Sequence, residues 1–581
     1  MLRIAGLELI PSRHFVFTRN SSRKNTNRTE LSRATQTQTT NQRSNPLCRF
    51  FSSLKSLFSN FINWNPQTTV SNPFEKDLFD FKNLLEEMQA LKSMEALLDW
   101  DLQTNMPEKA SDFRAWQIGF LRKQYHEKLI SEKMAKLLTP LREESIFNKL
   151  NHFDQTLVKE TGKEYDRFKN IPLSLIEEFA ETTAKAHHIW VNARATNQFD
   201  KFAPTLEKIF SLRRQMAELM GYVGSPYNAL LDLYEPEMTT NKLDNLFKNL
   251  KGKSLPIIEA INNSPTKLDN SCLNKDFTEA ELNEISLEVL QLIGFDLSRG
   301  HLSKSAHPFS TIVGENDVRL TTRYKNFWDS LTTTLHEGGH GLYDQGVDSS
   351  LAKTPLFEGT SLGIHESQSR LYEYTLGTGL PFWKYYFPIL QRKHPDRLKD
   401  ITLEDFYKAI NRVQPVVIRN EPCDEITYNL HVILRYEIEK DVIEGRLQVK
   451  DIPKVWNEKM QKYLGITPKN DSEGCLQDVH WACGDIGYFP SYTLGNLYAA
   501  QFYNTMKKEM PNLEEQIAKG DLLSLREWLR NKIHKYGKAQ TPSEILERVT
   551  GEALNINHFI NYIKEKYGNL YGIKNWESKA A

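Results

Sequence analysis

The sequence predicts a mainly α fold that carries a small β-hairpin or sheet. From Phe74 onward, leucines and aromatic residues recur at steps of three and four, as they do between residues 176 and 193, and this spacing is typical of amphipathic helices. The clearest strand pattern lies at residues 310–320, where residues 314–317 supply a turn between apolar pairs and indicate a hairpin. No apolar run reaches 18 residues, so no membrane-spanning helix is predicted.

The first 72 residues differ in composition from the rest of the chain. They are rich in Arg, Ser, Thr, Asn and Gln and poor in acidic residues, which predicts a disordered basic extension before a folded domain at 73–581. Such a composition is typical of organellar targeting segments, so an organelle is the alternative to a cytoplasmic location. Residues 48–64 form an amphipathic stretch that is expected either to touch a membrane surface or to dock on the folded domain.

The overall composition indicates a globular protein that can bury a sizeable core. Of the 581 residues, 39% are hydrophobic and 25% are charged, which is an ordinary balance. The 74 basic and 74 acidic residues cancel, so charge gives no reason to expect a nucleic-acid partner. Five cysteines are too few and odd in number for a disulfide framework. Cys475 and Cys483 flank His480, but they lack metal-pair spacing and are predicted to be buried thiols.

One predicted helix carries an H-E-x-x-H element at His336, Glu337 and His340. Residues four apart share a helix face, so the two imidazoles can direct a ring nitrogen each at one metal ion. Glu337, the next residue round the helix after His336, can reach the water that would attack the substrate. The pattern indicates a zinc peptidase, whereas the alternative is a helix with two surface histidines.

Three glycines in this helix conflict with helix propensity. Gly338, Gly339 and Gly341 each cost about 1 kcal/mol relative to alanine. A bound metal, or close approach by another backbone or a substrate, is the usual compensation.

A catalytic zinc site needs a third protein ligand, and Glu366 is the best candidate. It lies in a second predicted helix, with Arg370 and Glu373 on the same face, and Leu371 and Tyr374 are expected to turn away. Glu373 is expected to accept a hydrogen bond from a metal-binding histidine.

His365 is the rival ligand. Its position is about 100° round the helix from Glu366, which makes it the weaker candidate.

These residues belong to a larger set of motifs. The stronger motifs, in order, are HPF at 307–309, DVRLT at 317–321, HEGGH at 336–340, HES at 365–367 and GCLQDVHW at 474–481. A weaker N-terminal set consists of a WD at Trp100-Asp101, an MP at Met106-Pro107 and Arg114. Over roughly residues 77–575, this series of motifs resembles that of the M32 metallocarboxypeptidases, the carboxypeptidase Taq family.

The resemblance implies a two-lobed helical metallopeptidase with a long central cleft and a small β-hairpin or sheet beside the H-E-x-x-H helix. Residues 73–581 then form the catalytic domain. The resemblance implies release of single amino acids from the C-terminus of peptides, a zinc cofactor for which cobalt can substitute, and a homodimer. It also implies substrate or transition-state contacts from Arg419, His480, Tyr492, His307 and Arg319. Glu337 is then the general base.

Two features leave alternatives open. The segment 418–428 holds one residue more than the family pattern and has Cys423 in place of a small residue, so the register allows either Arg419 or a neighbouring residue to bind the substrate carboxylate. A surface arginine paired with an acidic neighbour is the alternative there. For the whole chain, the alternatives to a carboxypeptidase are a helical zinc oligopeptidase or endopeptidase, and a catalytically silent peptide-binding protein.

Overall fold

The computed structural model describes residues 73–418 and 423–576, and over these residues the chain is mainly helical, as predicted. The predicted basic extension and Arg419 lie outside the described residues. From Leu78 onward the described residues belong to one unit, and a second unit, Ile10–Asp77, enters the described part only with the first residues of the first helix. The two lobes and the cleft between them stay a prediction.

The first half of the described chain is a succession of helices. Those of six or more residues are α1 Pro73–Thr104, α2 Ser111–Leu129, α3 Glu132–Leu141, α4 His152–Phe168, α5 Leu173–Thr196, α6 Phe199–Met220, α7 Pro226–Leu231, α8 Thr240–Asn262 and α9 Glu279–Leu292. Asp101 accepts a hydrogen bond from Arg114 at 2.7 Å, so two residues of the N-terminal motif join α1 to α2.

The second half begins with a small sheet and returns to helices. These are α10 Phe327–Gly346, α11 Leu362–Arg370, α12 Leu380–Lys393, α13 Leu403–Ile410, α14 Tyr428–Ile443, α15 Ile452–Leu464, α16 Pro490–Glu509, α17 Leu513–Ala518, α18 Leu523–Lys532, α19 Pro542–Thr550 and α20 Asn557–Tyr571. Three one-turn helices are also present: Glu144–Phe147, between α3 and α4, and Pro395–Leu398 and His480–Cys483 in the second half. None of the described helices is long and apolar enough to cross a membrane.

The sheet has three strands, β1 Gly300–Lys304, β2 Ser310–Gly314 and β3 Asp317–Thr322. The predicted hairpin is the antiparallel pair of β2 and β3, closed by a turn in which Asn316 has a φ of 60°, a conformation that asparagine tolerates well. Strand β1 was not predicted; it lies on the other side of β3 and runs parallel to it. The sheet packs against α10, as expected.

Helix α11 packs closely against both α10 and α16, and glycines make this close packing possible. A Cβ atom at Gly339 of α10 would lie 2.5 Å from the backbone oxygen of Gln368 in α11. Where α11 meets α16, a Cβ atom at Gly495 of α16 would lie 2.6 Å from Cγ of Glu366. Close backbone approach is therefore the compensation for Gly339 that the sequence analysis sought.

The N-termini of α10 and α11 are capped by side chains. Asn326 accepts a hydrogen bond from the backbone N–H of Asp329, and Ser361 accepts one from Ile364. The buried carboxylate of Glu235 accepts a further bond from the Gly363 N–H at 3.0 Å. These bonds satisfy N–H groups that have no partner within the helix, and they fix the starts of the two helices that carry the site.

Candidate metal centre

Helix α10 places two imidazoles side by side. His336 and His340 are one turn apart, and their ring centroids are 4.9 Å apart. Glu337 lies between them in sequence and is only 5% exposed. On the side of this helix that faces away from the histidines, Leu331, Leu335 and Leu342 are buried.

Glu366 completes a three-donor cluster from helix α11. Its Oε2 atom lies 3.7 Å from Nε2 of His336 and 3.3 Å from Nε2 of His340. Among the described residues, these three side chains form the group whose donor atoms all lie within 4.8 Å of one another. Two donors bound about 2.05 Å from a tetrahedral zinc ion would be about 3.3 Å apart. Two imidazoles and one carboxylate at this spacing therefore fit a zinc ion.

The outer atoms of two of these side chains have polar partners. Glu373 Oε2 lies 2.7 Å from Nδ1 of His336, which is the contact expected from the sequence. Arg370 donates to Oε1 of Glu366 at 2.5 Å and to Oε2 of Glu373 at 3.1 Å. The arginine thus occupies one carboxylate oxygen of Glu366 and leaves the other facing the histidines.

His340 has a different outer partner. Its Nδ1 atom lies 2.6 Å from Nδ1 of His365, and Nε2 of His365 lies 3.0 Å from Oδ1 of Asp344. His365, the rival ligand, therefore faces the back of His340 rather than the three-donor cluster. Asp344 was not predicted from the sequence, although its position one helical turn after the second histidine places its carboxylate on the same helix face.

The charges around the cluster shift its pKa values in opposite directions. Burial opposes protonation of His336, but the carboxylates of Glu366, Glu373 and Glu337 outweigh it and raise the pKa of His336 to about 9. Burial and the neighbouring histidines, His365 and His336, lower the pKa of His340 to about 3. Burial also opposes ionisation of Glu366, but Arg370 and the two histidines hold the pKa of that carboxyl well below its usual range. The cluster is therefore arranged to hold an anionic Glu366.

Helix α11 continues into a π-helical turn, Leu371–Leu376. The expectation that Tyr374 turns away is wrong, because Tyr374 follows Arg370 by four residues and regular helical spacing already places both side chains on one face. The Arg370 guanidinium lies 5.2 Å from the Tyr374 ring and 4.3 Å from the Tyr428 ring. Turns of this kind often occur at functional sites.

One predicted substrate residue, Tyr492, lies beside this arginine, and a second, His480, contacts Tyr492. Tyr492 has its ring 5.7 Å from the Arg370 guanidinium, and its hydroxyl is 3.2 Å from Nε2 of His480. Burial raises the pKa of Tyr492 well above its usual value, and Glu366 adds to this effect. Tyr492 is therefore a neutral phenol with a proton available to donate.

A buried polar network holds the segment that carries His480. Arg435 of α14 pairs with Asp478 at 2.6 Å. One turn further along α14, Glu439 accepts from the Trp481 indole at 2.8 Å and from the Gly487 N–H at 3.0 Å. The sequence analysis missed these supports because they join segments about 40 residues apart.

The remaining predicted substrate residues lie outside the cluster. His307 is exposed in the connection between β1 and β2. Arg319 of β3 forms a two-point ion pair with Asp317, and its guanidinium lies 4.7 Å from the Trp100 ring. The contacts of Arg319 are thus with Asp317 and Trp100.

Comparison with known proteins gives a consistent result. Residues 80–567 match the family described as carboxypeptidase Taq (M32) metallopeptidase. The chain is 41% identical over 500 residues to carboxypeptidase 1 of Bacillus subtilis (strain 168), a match that covers 86% of this chain and 99% of that protein. It is 38% identical over 506 residues to thermostable carboxypeptidase 1 of Thermus thermophilus, with coverages of 85% and 99%.

Solved structures show the same relationship. The M32 carboxypeptidase from Deinococcus radiodurans R1 superimposes with a TM-score of 0.82 at 34% identity, and the match covers 86% of this chain and all of that one. Metallocarboxypeptidase 1 of Trypanosoma cruzi gives a TM-score of 0.79 at 33% identity, with coverages of 85% and 99%.

Proposed function

The chain belongs to the carboxypeptidase Taq (M32) family of metallopeptidases, and from this premise we propose that it is a zinc-dependent carboxypeptidase. In this proposal His336, His340 and Glu366 hold the metal, and Glu337 is the general base in the release of single amino acids from the C-terminus of peptides. The observation that carries the proposal is the three-donor cluster, with a buried glutamate next to its first histidine.

The donor set determines which chemistry is available. When bound, zinc would act as a Lewis acid that lowers the pKa of a water and polarises the scissile carbonyl. Two neutral imidazoles and one carboxylate leave a net positive charge on such a site, which favours this role over that of a structural ion. Cobalt is expected to substitute for zinc at the same three donors.

Glu337 would move the proton. Its carboxylate accepts a proton from the attacking water and passes it to the leaving amine. Helix α10 carries both Glu337 and the two histidines, so one rigid element sets the distance between base and donors. Rigid placement of this kind is what general-base catalysis requires.

Tyr492 and His480 would stabilise charge on the substrate oxygen. The phenol of Tyr492 is protonated and lies next to the arginine that binds Glu366, and a donor near the developing oxyanion is worth roughly 3–4 kcal/mol. Arg419 would bind the substrate's terminal carboxylate through its planar guanidinium. His307 and Arg319 stay predictions as substrate contacts.

Peptide pairs that differ only at the C-terminus test this function. A free-acid peptide should lose residues from its end, whereas the same peptide with a C-terminal amide should resist, because the enzyme would no longer find a terminal carboxylate. Internal cleavage of both peptides would favour an oligopeptidase, and no cleavage of either would favour a peptide-binding protein. The Glu366→Ala variant should have a lower zinc content, and full retention of zinc would assign the third ligand elsewhere.

Family membership also supports two further proposals. We expect a homodimer of the 67.5 kDa chain, which light scattering on the purified protein would detect. We expect a cytoplasmic location, with an organelle as the alternative suggested by the basic N-terminal composition. Imaging of the tagged full-length chain beside a version without residues 1–72 would distinguish the two locations.

A further inference from the structure

The two metal-binding histidines are supported in different ways. Nδ1 of His336 lies against a carboxylate, Glu373 Oε2, at 2.7 Å. Nδ1 of His340 instead lies 2.6 Å from another imidazole nitrogen, Nδ1 of His365. Only the far side of His365 reaches a carboxylate, with Nε2 3.0 Å from Oδ1 of Asp344.

This geometry dictates where the protons lie. Two ring nitrogens 2.6 Å apart share one hydrogen bond, so one of them donates and the other accepts. A carboxylate can only accept, so Nε2 of His365 carries its proton toward Asp344. With that proton on Nε2, the Nδ1 atom of His365 accepts, and His340 donates from its own Nδ1. The Nε2 lone pair of His340 then faces the position that a metal ion bound to Glu366 would take.

We propose that Asp344 and His365 are positioning residues that fix the metal-binding tautomer of His340. The inference rests on the zinc site of the proposed function. If the proton order were reversed, His340 would carry its proton on Nε2 and would present an N–H group to the cation. The Asp344 carboxylate therefore determines which nitrogens carry the protons, although it contacts His365 and not the metal-binding His340 itself.

The surrounding structure holds this chain of groups in place. Asp344 is 4% exposed and lies one helical turn after His340 on α10. The His365 ring lies 5.0 Å from the Tyr343 ring, and a Cβ atom at Gly359 would lie only 2.6 Å from Cδ2 of His365. His365 precedes Glu366 on α11, so its hydrogen bond also ties the helix of the third ligand to the helix of the second.

Four variants test the proposal by zinc affinity, measured in competition with a chromophoric chelator. Asp344→Asn allows an amide N–H to hold His365 in the opposite tautomer, and His365→Phe removes the acceptor but keeps an aromatic ring. Each should weaken zinc binding by about 10- to 100-fold. In His365→Asn, an amide oxygen takes the place of Nδ1, and affinity should stay within about threefold of wild type.

The decisive readout is the double variant. In the His365→Asn background, Asp344→Asn should cause no further loss, because the amide no longer depends on Asp344 for its orientation. A purely structural effect of Asp344 would instead add to the loss. The visible spectrum of the cobalt-loaded protein should change in Asp344→Asn and be restored in the double variant. The exposed His152 provides a control, since His152→Gln should leave zinc affinity unchanged.

Two results would overturn the proposal: zinc affinities within twofold of wild type for both Asp344→Asn and His365→Phe, or an equal loss from Asp344→Asn in both backgrounds. Hydrolysis of a free-acid peptide by the wild type is measured in parallel. Tautomer-dependent zinc binding without hydrolysis would contradict the proposed function and leave this inference standing. Hydrolysis with unchanged zinc affinities would contradict this inference alone.

Discussion

Replacing Gly339 with alanine should disturb the metal centre without touching any of its ligands. The added Cβ atom would lie 2.5 Å from the Gln368 oxygen and 2.7 Å from Cα of Ser369, whereas ordinary contact begins at 3.4 Å. Both atoms belong to the backbone of α11 and cannot rotate away. Helices α10 and α11 would therefore have to separate by about 0.9 Å, because close-packed interiors have no spare volume.

The expected magnitudes follow from this displacement. Alanine gains about 1 kcal/mol over glycine in a helix interior, but overpacking costs about 1–3 kcal/mol, so the net change in folding stability should be a loss of about 0–2 kcal/mol. The metal centre tolerates a smaller displacement than the fold does, because metal–ligand distances must stay within about 0.2 Å of their ideal values. Glu366 would move with α11, so we expect zinc affinity to fall at least tenfold and kcat by on the order of 100-fold.

Two other glycines calibrate the assay, which measures zinc content, zinc affinity and thermal unfolding side by side. Gly119 lies in α2 with open space around it, so Gly119→Ala should stabilise by up to about 1 kcal/mol and leave zinc binding unchanged. Gly338→Ala meets only the side chains of Leu290 and Ile293, which can adjust, and should give an intermediate result. Wild-type zinc affinity and stability in Gly339→Ala would refute the reasoning.

Three further predictions concern the metal and the substrate. Because the pKa of His336 is raised to about 9, zinc must displace a proton at neutral pH. Zinc affinity should therefore rise about tenfold per pH unit from 7 to 8.5, and calorimetric zinc affinities that do not change over this range would contradict the raised pKa. Removing the metal with a chelator should lower the unfolding temperature by an amount that depends on the free zinc concentration. The circular dichroism spectrum at 25 °C should not change, because packing holds α10, α11 and α16 together. A loss of helical signal would show that the metal is needed to hold these helices together. Tyr492→Phe should lower kcat by about 10²- to 10³-fold with little change in KM, and an effect confined to KM would assign Tyr492 to ground-state binding instead.

Local spacing explains what could be predicted from the sequence. His336 and His340 are one turn apart in a single helix, and Glu366, Arg370 and Glu373 follow helical steps in another, so each set could be assigned to one face. The hairpin was readable because its turn residues separate two short apolar stretches. The mainly helical fold followed from periodicity over most of the chain.

Features that depend on how distant segments pack could not be predicted. The contact between His340 and His365 requires α10 and α11 to cross closely. In the sequence, the only sign of this crossing is Gly339, a residue with poor helix propensity in the middle of a predicted helix. Strand β1 is short and mostly polar, and its parallel pairing with β3 leaves no alternating pattern.

The most direct test of the central claim is mass spectrometry of a mixed peptide set after incubation with zinc-loaded protein, wild type beside Glu337→Gln. The account predicts ladders shortened one residue at a time from the C-terminus by the wild type. The variant should retain its zinc and be slower by roughly 10²- to 10⁴-fold. Ladders produced equally by both proteins would contradict the role of Glu337, and internal fragments or intact peptides from the wild type would contradict the carboxypeptidase itself.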